Sequence, residues 1–211
     1  MRKTLGGRHT TLGVAAIVLS ASAWASESAS PGSMTPGTDP HAKHRQMLAT
    51  PDVTVEHLVY QVPNVTLVDE SGQRTNLREL FSEDKPIALN FIFTTCTTIC
   101  PVMTSTMLQL QKHLGDETVR PNFVSISIDP DYDSVAVMKD YAERFGANWT
   151  FLTGSPDDVL TALRAFDAYR GNKVNHFALT LMHAPAAKDW TRVEGLTSAE
   201  ELARLWRETA N

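Results

Sequence analysis

The stretch KPIALNFIFTTCTTICPVMT, residues 85–104, carries the pattern on which the fold turns. From Ile87 to Phe93 it is a nearly unbroken apolar run, the signature of a strand buried on both faces of a sheet. The only two cysteines of the 211 residues, Cys96 and Cys100, come next, and then Pro101. Val102, Met103, Met107, Leu110 and Leu114 follow, most of them at helical spacing, with Gly115 as a stop signal. The order is strand, cysteine loop, helix. Proline suits the first turn of a helix because its missing N–H would be unpaired there, so Cys100 is expected at or beside the helix cap, its sulfur facing the positive end of the dipole. That setting lowers a thiol from its free pKa of about 8.5 and makes thiolate, both nucleophile and metal ligand, available near neutral pH. Cys96, just upstream, can approach the same point, either to close a disulfide or to clasp a metal ion.

Working outward, NFVSISID (122–129) reads as a second apolar strand and SVAVMKDYAERFG (134–146) as a helix closed by Gly146. A short strand near Trp149–Leu152, a helix over Pro156–Ala168, strands around Phe177–Met182 and Thr191–Val193, and a final helix from Ser198 complete the series. Upstream, VPNVTLVDESGQRTNLREL (62–80) places a Ser71-Gly72 turn between two short strand-like runs, a hairpin. Alternating strands and helices predict an α/β fold with a mainly parallel central sheet flanked by helices, preceded by an N-terminal β-hairpin.

The N-terminus has the layout of an export signal. Arg2, Lys3 and Arg8 precede an apolar run from Leu12 to Ala23, and Ala23-Trp24-Ala25 offers small residues where a signal peptidase cuts. The run is shorter than the roughly 20 residues a membrane-spanning helix needs, so residues 1–25 read as a cleaved signal and the mature chain as soluble and periplasmic or otherwise exported. Residues 26–50, rich in Ser, Pro, Gly and Thr, cannot bury enough apolar surface to fold and read as a linker. Residues 51–211 are enough for one domain with a sizeable core. Loss of the three signal cations takes the formal net charge from −5 to −8, an acidic balance that argues against nucleic acid as a partner.

An exported pair of cysteines can form a lasting disulfide. A bridge across three intervening residues, however, removes little chain entropy, roughly 2 kcal/mol before any strain is subtracted. Reinforcement is therefore a weak reason for this spacing, and joint reactivity a better one.

FIFTTCTTICPVM (91–103), with SISIDPDYDS (125–134), YAERFGANW (141–149) and KVNHFALTLM (173–182), resembles the SCO/SenC proteins. These are exported thioredoxin-like copper proteins associated with assembly of cytochrome c oxidase. The resemblance runs from about Val62 to the C-terminal helix. It implies that Cys96, Cys100 and His176 are copper ligands, His176 standing where ordinary thioredoxins carry a cis-proline beside the cysteine loop. Family members often carry Asp before this histidine. Here the residue is Asn175, so the carboxylate that would orient or charge the site is missing.

The donor set agrees with copper: two soft thiolates favour Cu(I), and an imidazole makes Cu(II) tolerable as well. Zinc competes, but structural zinc sites take four protein ligands and only three are assignable. Two functions compete. One is a metallochaperone that delivers copper to the copper-binding subunit of a respiratory oxidase, or prepares that subunit's cysteines. The other is an enzyme, a thiol-disulfide oxidoreductase in which Cys96 and Cys100 form the redox-active pair. A peroxidase is disfavoured, because the position of a peroxiredoxin's conserved proline is occupied by Leu89 relative to Cys96 and by Phe93 relative to Cys100.

Other polar residues have simpler readings. Asp133 before Ser134 reads as a helix cap and Asp129 as a turn former. His183 reads as structural, and His57 and His113 have no evident partner. Met34, His41, His44 and Met47 read as solvated linker residues, with capture of copper on a tether as the sharper alternative.

Overall fold

All six residues of β4 (Ile87–Ile92) are buried, because helices cover both faces of the sheet at its centre. The strand's alternation divides the core in two. Ala88 and Ile92 point into a layer with Met107, Leu110, Tyr141 and Trp206, while Ile87, Leu89 and Phe91 point into the opposite layer with Val159, Leu163, Phe166 and Trp190. These positions come from a computed structural model, which describes residues 53–82 and 84–210. The expected signal (1–25) and linker (26–50), including Met34, His41, His44 and Met47, lie outside the described residues.

The strands are β1 (Thr54–Leu58), β2 (Thr66–Asp69), β3 (Arg74–Asn76), β4, β5 (Asn122–Ser127), β6 (Thr150–Thr153), β7 (Leu179–His183) and β8 (Trp190–Glu194). The helices are α1 (Leu77–Leu80), α2 (Ile99–Leu114), α3 (Val135–Phe145), α4 (Pro156–Ala165) and α5 (Ala199–Thr209), with one 3-10 turn at Lys173–Asn175. The sheet order is β1-β8-β7-β4-β5-β6-β2-β3.

Parallel pairing is confined to the centre, β4 with β5 and β5 with β6. The flanks are antiparallel. β7 and β8 form a hairpin-like pair beside β4, and the β2–β3 hairpin, turning at Ser71-Gly72, adds to the far side of β6. The α/β thioredoxin-like architecture stands, with the sheet mixed where the sequence pattern suggested mainly parallel. The reason is local: no helix separates β7 from β8, so the chain reverses directly instead of crossing over. β1 is the strand that the sequence pattern does not reveal. Each of its five residues is exposed, and it is held by its ladder to β8.

Two features fix the sheet edge that matters. β4 and β5 run parallel and so end together, at Ile92 and Ser127, paired in register. β7 runs antiparallel to β4, with Ile87 opposite His183 and Asn90 opposite Thr180, so the residues entering β7 lie at that same edge. The segment leading there is braced from below by Arg192, 1% exposed, which donates to Glu194, to the hydroxyl of Tyr60 (2.9 Å) and to the carbonyls of Phe166 and Asp167 (3.1 Å each). Asp167, at a φ of +49°, makes the turn that ends α4, so the helix stops at Ala165 rather than Ala168.

Candidate metal centre

The cysteine loop starts where β4 ends. A turn from Phe93 to Cys96 (N to O, 3.2 Å) reverses the chain, and α2 begins at Ile99 behind Thr98, whose side chain caps nothing. The sulfur of Cys96 stands in, accepting the Cys100 N–H at 3.4 Å. Cys100 is thus the second residue of the helix and Pro101 the third. Both cysteines are free thiols.

This arrangement reverses the expected roles of the pair. Burial pushes the Cys100 thiol far up, and a hydrogen bond from the Phe93 backbone offsets only part of that. Cys100 is fully buried, and removing a charge from water outweighs a helix-end field there. Burial also works to raise Cys96, but hydrogen bonds from the Cys100 and Thr98 backbones, the Cys100 thiol and the Thr98 hydroxyl outweigh it, and the Cys96 thiol lies below its ordinary value. Of the two thiols, Cys96 is the one whose surroundings favour the thiolate.

His176 closes the 3-10 turn and leads into β7. Its ring meets Phe93 edge-on, with centroids 5.8 Å apart at 74°. The Phe91 backbone acts on the imidazole as an accepting group, and the ring's Nε2 is buried without a partner. Burial pulls the imidazole down to about 4, so it stays neutral near pH 7. His176 and Cys96 line one cavity of about 280 Å³, together with Phe93, Thr98, Lys173 and Val174. Cys100 lies beneath Cys96 and does not line it. Among the described residues, no three His, Cys, Asp or Glu side chains are already gathered as a metal site.

Asp133 is not the cap of α3. Ser134 is, its Oγ accepting from the Val137 N–H, and Asp133 is fully buried instead. Its carboxylate accepts from the Thr94 N–H (3.2 Å) and hydroxyl and from the Ser127 hydroxyl (2.6 Å). Burial raises its pKa against those hydrogen bonds. Asp129 does form a turn, its carbonyl accepting from Tyr132 and Asp133, and its carboxylate also holds the Lys173 ammonium at 2.5 Å. Thr94, Ser127 and Lys173 escaped the sequence reading, since a threonine in a loop and a lysine in a turn carry no spacing signal. Asn175 directs its side chain to the Arg170 carbonyl (3.3 Å).

The other histidines lie elsewhere. His183, at the far end of β7, contacts the Ala187 carbonyl at 3.0 Å and packs against Trp190 with the rings tilted by 34°. His57 approaches Asp189 at 3.6 Å, and His113 approaches Glu200 at 3.2 Å.

Comparison with known proteins finds the SCO1/SenC family profile matching residues 61–211. The chain is 36% identical over 116 residues to the SCO1 protein homolog of Bacillus subtilis (strain 168), an alignment covering 53% of this chain and 59% of that one. It is 36% identical over 110 residues to the mitochondrial SCO2 homolog of Danio rerio, covering 50% and 38% respectively. The matched part therefore spans less than two thirds of these relatives' length. Among solved structures, BsSco, described with a disulfide switch and as a member of the Sco family of cytochrome c oxidase assembly proteins, superposes with a TM-score of 0.61 at 28% identity over 73% of this chain and 95% of that one. A SCO1/SenC family lipoprotein from Bacillus anthracis str. Ames gives a TM-score of 0.62 at 26% identity over 74% and 98%. Copper-bound ScoI of Bradyrhizobium japonicum gives 0.58 at 22% identity over 72% and 99%, a likeness of fold.

Proposed function

The chain belongs to the SCO1/SenC family, and from that premise we propose that it binds copper as cargo through Cys96, Cys100 and His176 in the service of cytochrome c oxidase assembly. It either delivers the metal to the oxidase's copper-binding subunit or prepares that subunit's cysteines to take it. The observation that carries this reading is that His176, whose Nε2 is buried without a partner, lines the same cavity as Cys96. An orphaned polar atom costs free energy unless something satisfies it, and a soft cation held by two sulfurs would do so.

The residues divide the work. Cys96, the more acidic thiol at the cavity wall, makes first contact. Cys100 yields its proton on coordination, which carries its sulfur past the cost of burying a bare thiolate. His176, already neutral, adds the third donor without releasing a proton. Release to a partner reverses these steps by ligand exchange, with a proton returning to Cys100. The test is titration of the reduced protein with Cu(I) and Cu(II), beside His176→Ala. Loss of about 10- to 100-fold in Cu(II) affinity is expected, and an unchanged affinity removes His176 from the site.

The asymmetry of the thiols favours a second activity of the same pair. The Cys96 thiolate attacks a partner disulfide, forming a mixed disulfide and expelling one partner thiolate. Cys100, losing its proton, then attacks the Cys96 sulfur, closes the Cys96–Cys100 bond and frees the second partner thiolate, so two electrons pass to the partner. A Cys100→Ser variant should accumulate the mixed disulfide, and its failure to do so with any oxidised exported protein would count against this activity.

We further propose that residues 1–25 direct export to the periplasm and are removed. Among the described residues no helix is long and apolar enough to cross a membrane. N-terminal sequencing of protein from the cell envelope should begin at Ser26.

A further inference from the structure

The 3-10 turn that carries His176 has little of its own to hold it. Lys173, Val174 and Asn175 are all exposed, Val174 at 79%, and none of the three is buried. Most of its hydrogen bonds are internal to the loop: Asn172 to the Val174 N–H (3.0 Å), Asn175 to the Arg170 carbonyl (3.3 Å) and the His176 N–H to the Lys173 carbonyl (3.0 Å). Such a segment opens cheaply, because local stability follows buried contacts and long-range bonds. Among the described residues, the polar tie that fastens it to the rest of the domain is one ion pair, Lys173 Nζ to Asp129 Oδ2 at 2.5 Å, between residues 44 apart in sequence, beside the influence of the Phe91 backbone on the imidazole. The same ammonium lies 5.8 Å from the ring centre of Phe93, the ring against which His176 packs.

Asp129 is a firm anchor. Its side chain is 12% exposed, its N–H donates to the Ser127 hydroxyl, and its carbonyl accepts from Tyr132 and Asp133. Asp133 in turn holds Thr94, two residues before Cys96. Both ligand-bearing segments are therefore fastened to one turn, the cysteine loop by Asp133 and the histidine turn by Asp129. We propose that Lys173, through its ion pair with Asp129, is the positioning residue that keeps His176 in the cavity with Cys96, and that breaking this pair releases the imidazole from the metal while leaving the two sulfurs in place. The proposal rests on the copper-binding reading given above for what His176 does, but its structural half is independent of metal.

Two readouts test it on the full chain, with Lys173→Met, Asp129→Asn and the double variant. In metal-free protein, amide hydrogen exchange over Val174–Phe177 should quicken about fivefold in either single variant. In copper(II)-loaded protein, the thiolate-to-copper absorption should shift toward that of His176→Ala, and loss of copper(II) to a chelator should quicken about tenfold. The double variant should be no worse than either single one, as expected of one shared interaction. Wild-type exchange in Lys173→Met, or additive effects in the double variant, would overturn the proposal. If the exchange arm responds while His176→Ala leaves copper binding untouched, the positioning role stands and the copper reading fails.

Discussion

Asp129 and Asp133, four residues apart in the turn that leaves β5, grip opposite halves of the candidate site. Asp133 takes the hydroxyl and N–H of Thr94 beside the cysteine loop, and Asp129 takes the ammonium of Lys173 beside the histidine turn. Both carboxylates are already engaged, Asp133 by Thr94 and Ser127 and Asp129 by Lys173. Their contribution is mechanical, and it makes the turn a shared support whose removal has calculable costs.

Asp133→Ala leaves the buried donors of Thr94 and Ser127 unmatched and should destabilise the domain by about 2–3 kcal/mol. Asp133→Asn keeps one acceptor oxygen and should cost about 1 kcal/mol. Urea denaturation checks both, as a shift in midpoint with an unchanged slope. Equal stability of wild type and Asp133→Ala would contradict the bonding at this residue.

The two thiols should separate cleanly by reactivity. Near pH 7.5 iodoacetamide should modify Cys96 at least about tenfold faster than Cys100, since rate follows thiolate fraction and access. Mass spectrometry of Cys96→Ser and Cys100→Ser decides the order. Faster labelling of the protein that retains Cys100 alone would restore the expectation from sequence.

Stability should depend on pH through His176. Its folded value of about 4 lies below the 6.5 of a free imidazole, so between the two the unfolded chain binds a proton that the folded chain does not. Stability therefore falls as pH drops from about 6.5 toward 4, by at most about 3 kcal/mol from this residue. Asp133 works in the opposite sense, since its raised carboxyl holds a proton better folded than unfolded. Thermal melts across this window in the Asp133→Asn background isolate the imidazole, and His176→Ala should flatten the slope.

Arg192→Met should cost about 2–4 kcal/mol, because the carbonyls of Phe166 and Asp167 lose their donor and Glu194 keeps only the longer pairing with Arg170, at 3.9 Å. The same change loosens the segment leading to His176, so amide exchange over residues 167–172 should rise more than the global figure explains. A uniform rise would assign Arg192 to the core alone.

Much of this was legible in the residues themselves. The apolar run Ile87–Phe93 announced a two-sided strand because burial on both faces leaves no polar alternation, and the Ser71-Gly72 hairpin declared itself by turn chemistry. What escaped depended on distance in space. Whether Ser134 or Asp133 caps α3 hinges on which side chain the sheet edge buries, and adjacent residues do not reveal it. The thiol order inverted for the same reason: a helix position suggests a field, but the depth of Cys100 is a property of the assembled core. Arg192, in a strand, carries no signal in the sequence of the four partners that close over it.

The opposed directions of β4 and β7 carry one more implication. The cysteine loop leaves one strand at the rim where His176 enters the other, so their shared edge is set by strand polarity and not by the count of residues between them. Whatever the length of the helices and loops between them, the two segments share a rim so long as those strands stay side by side.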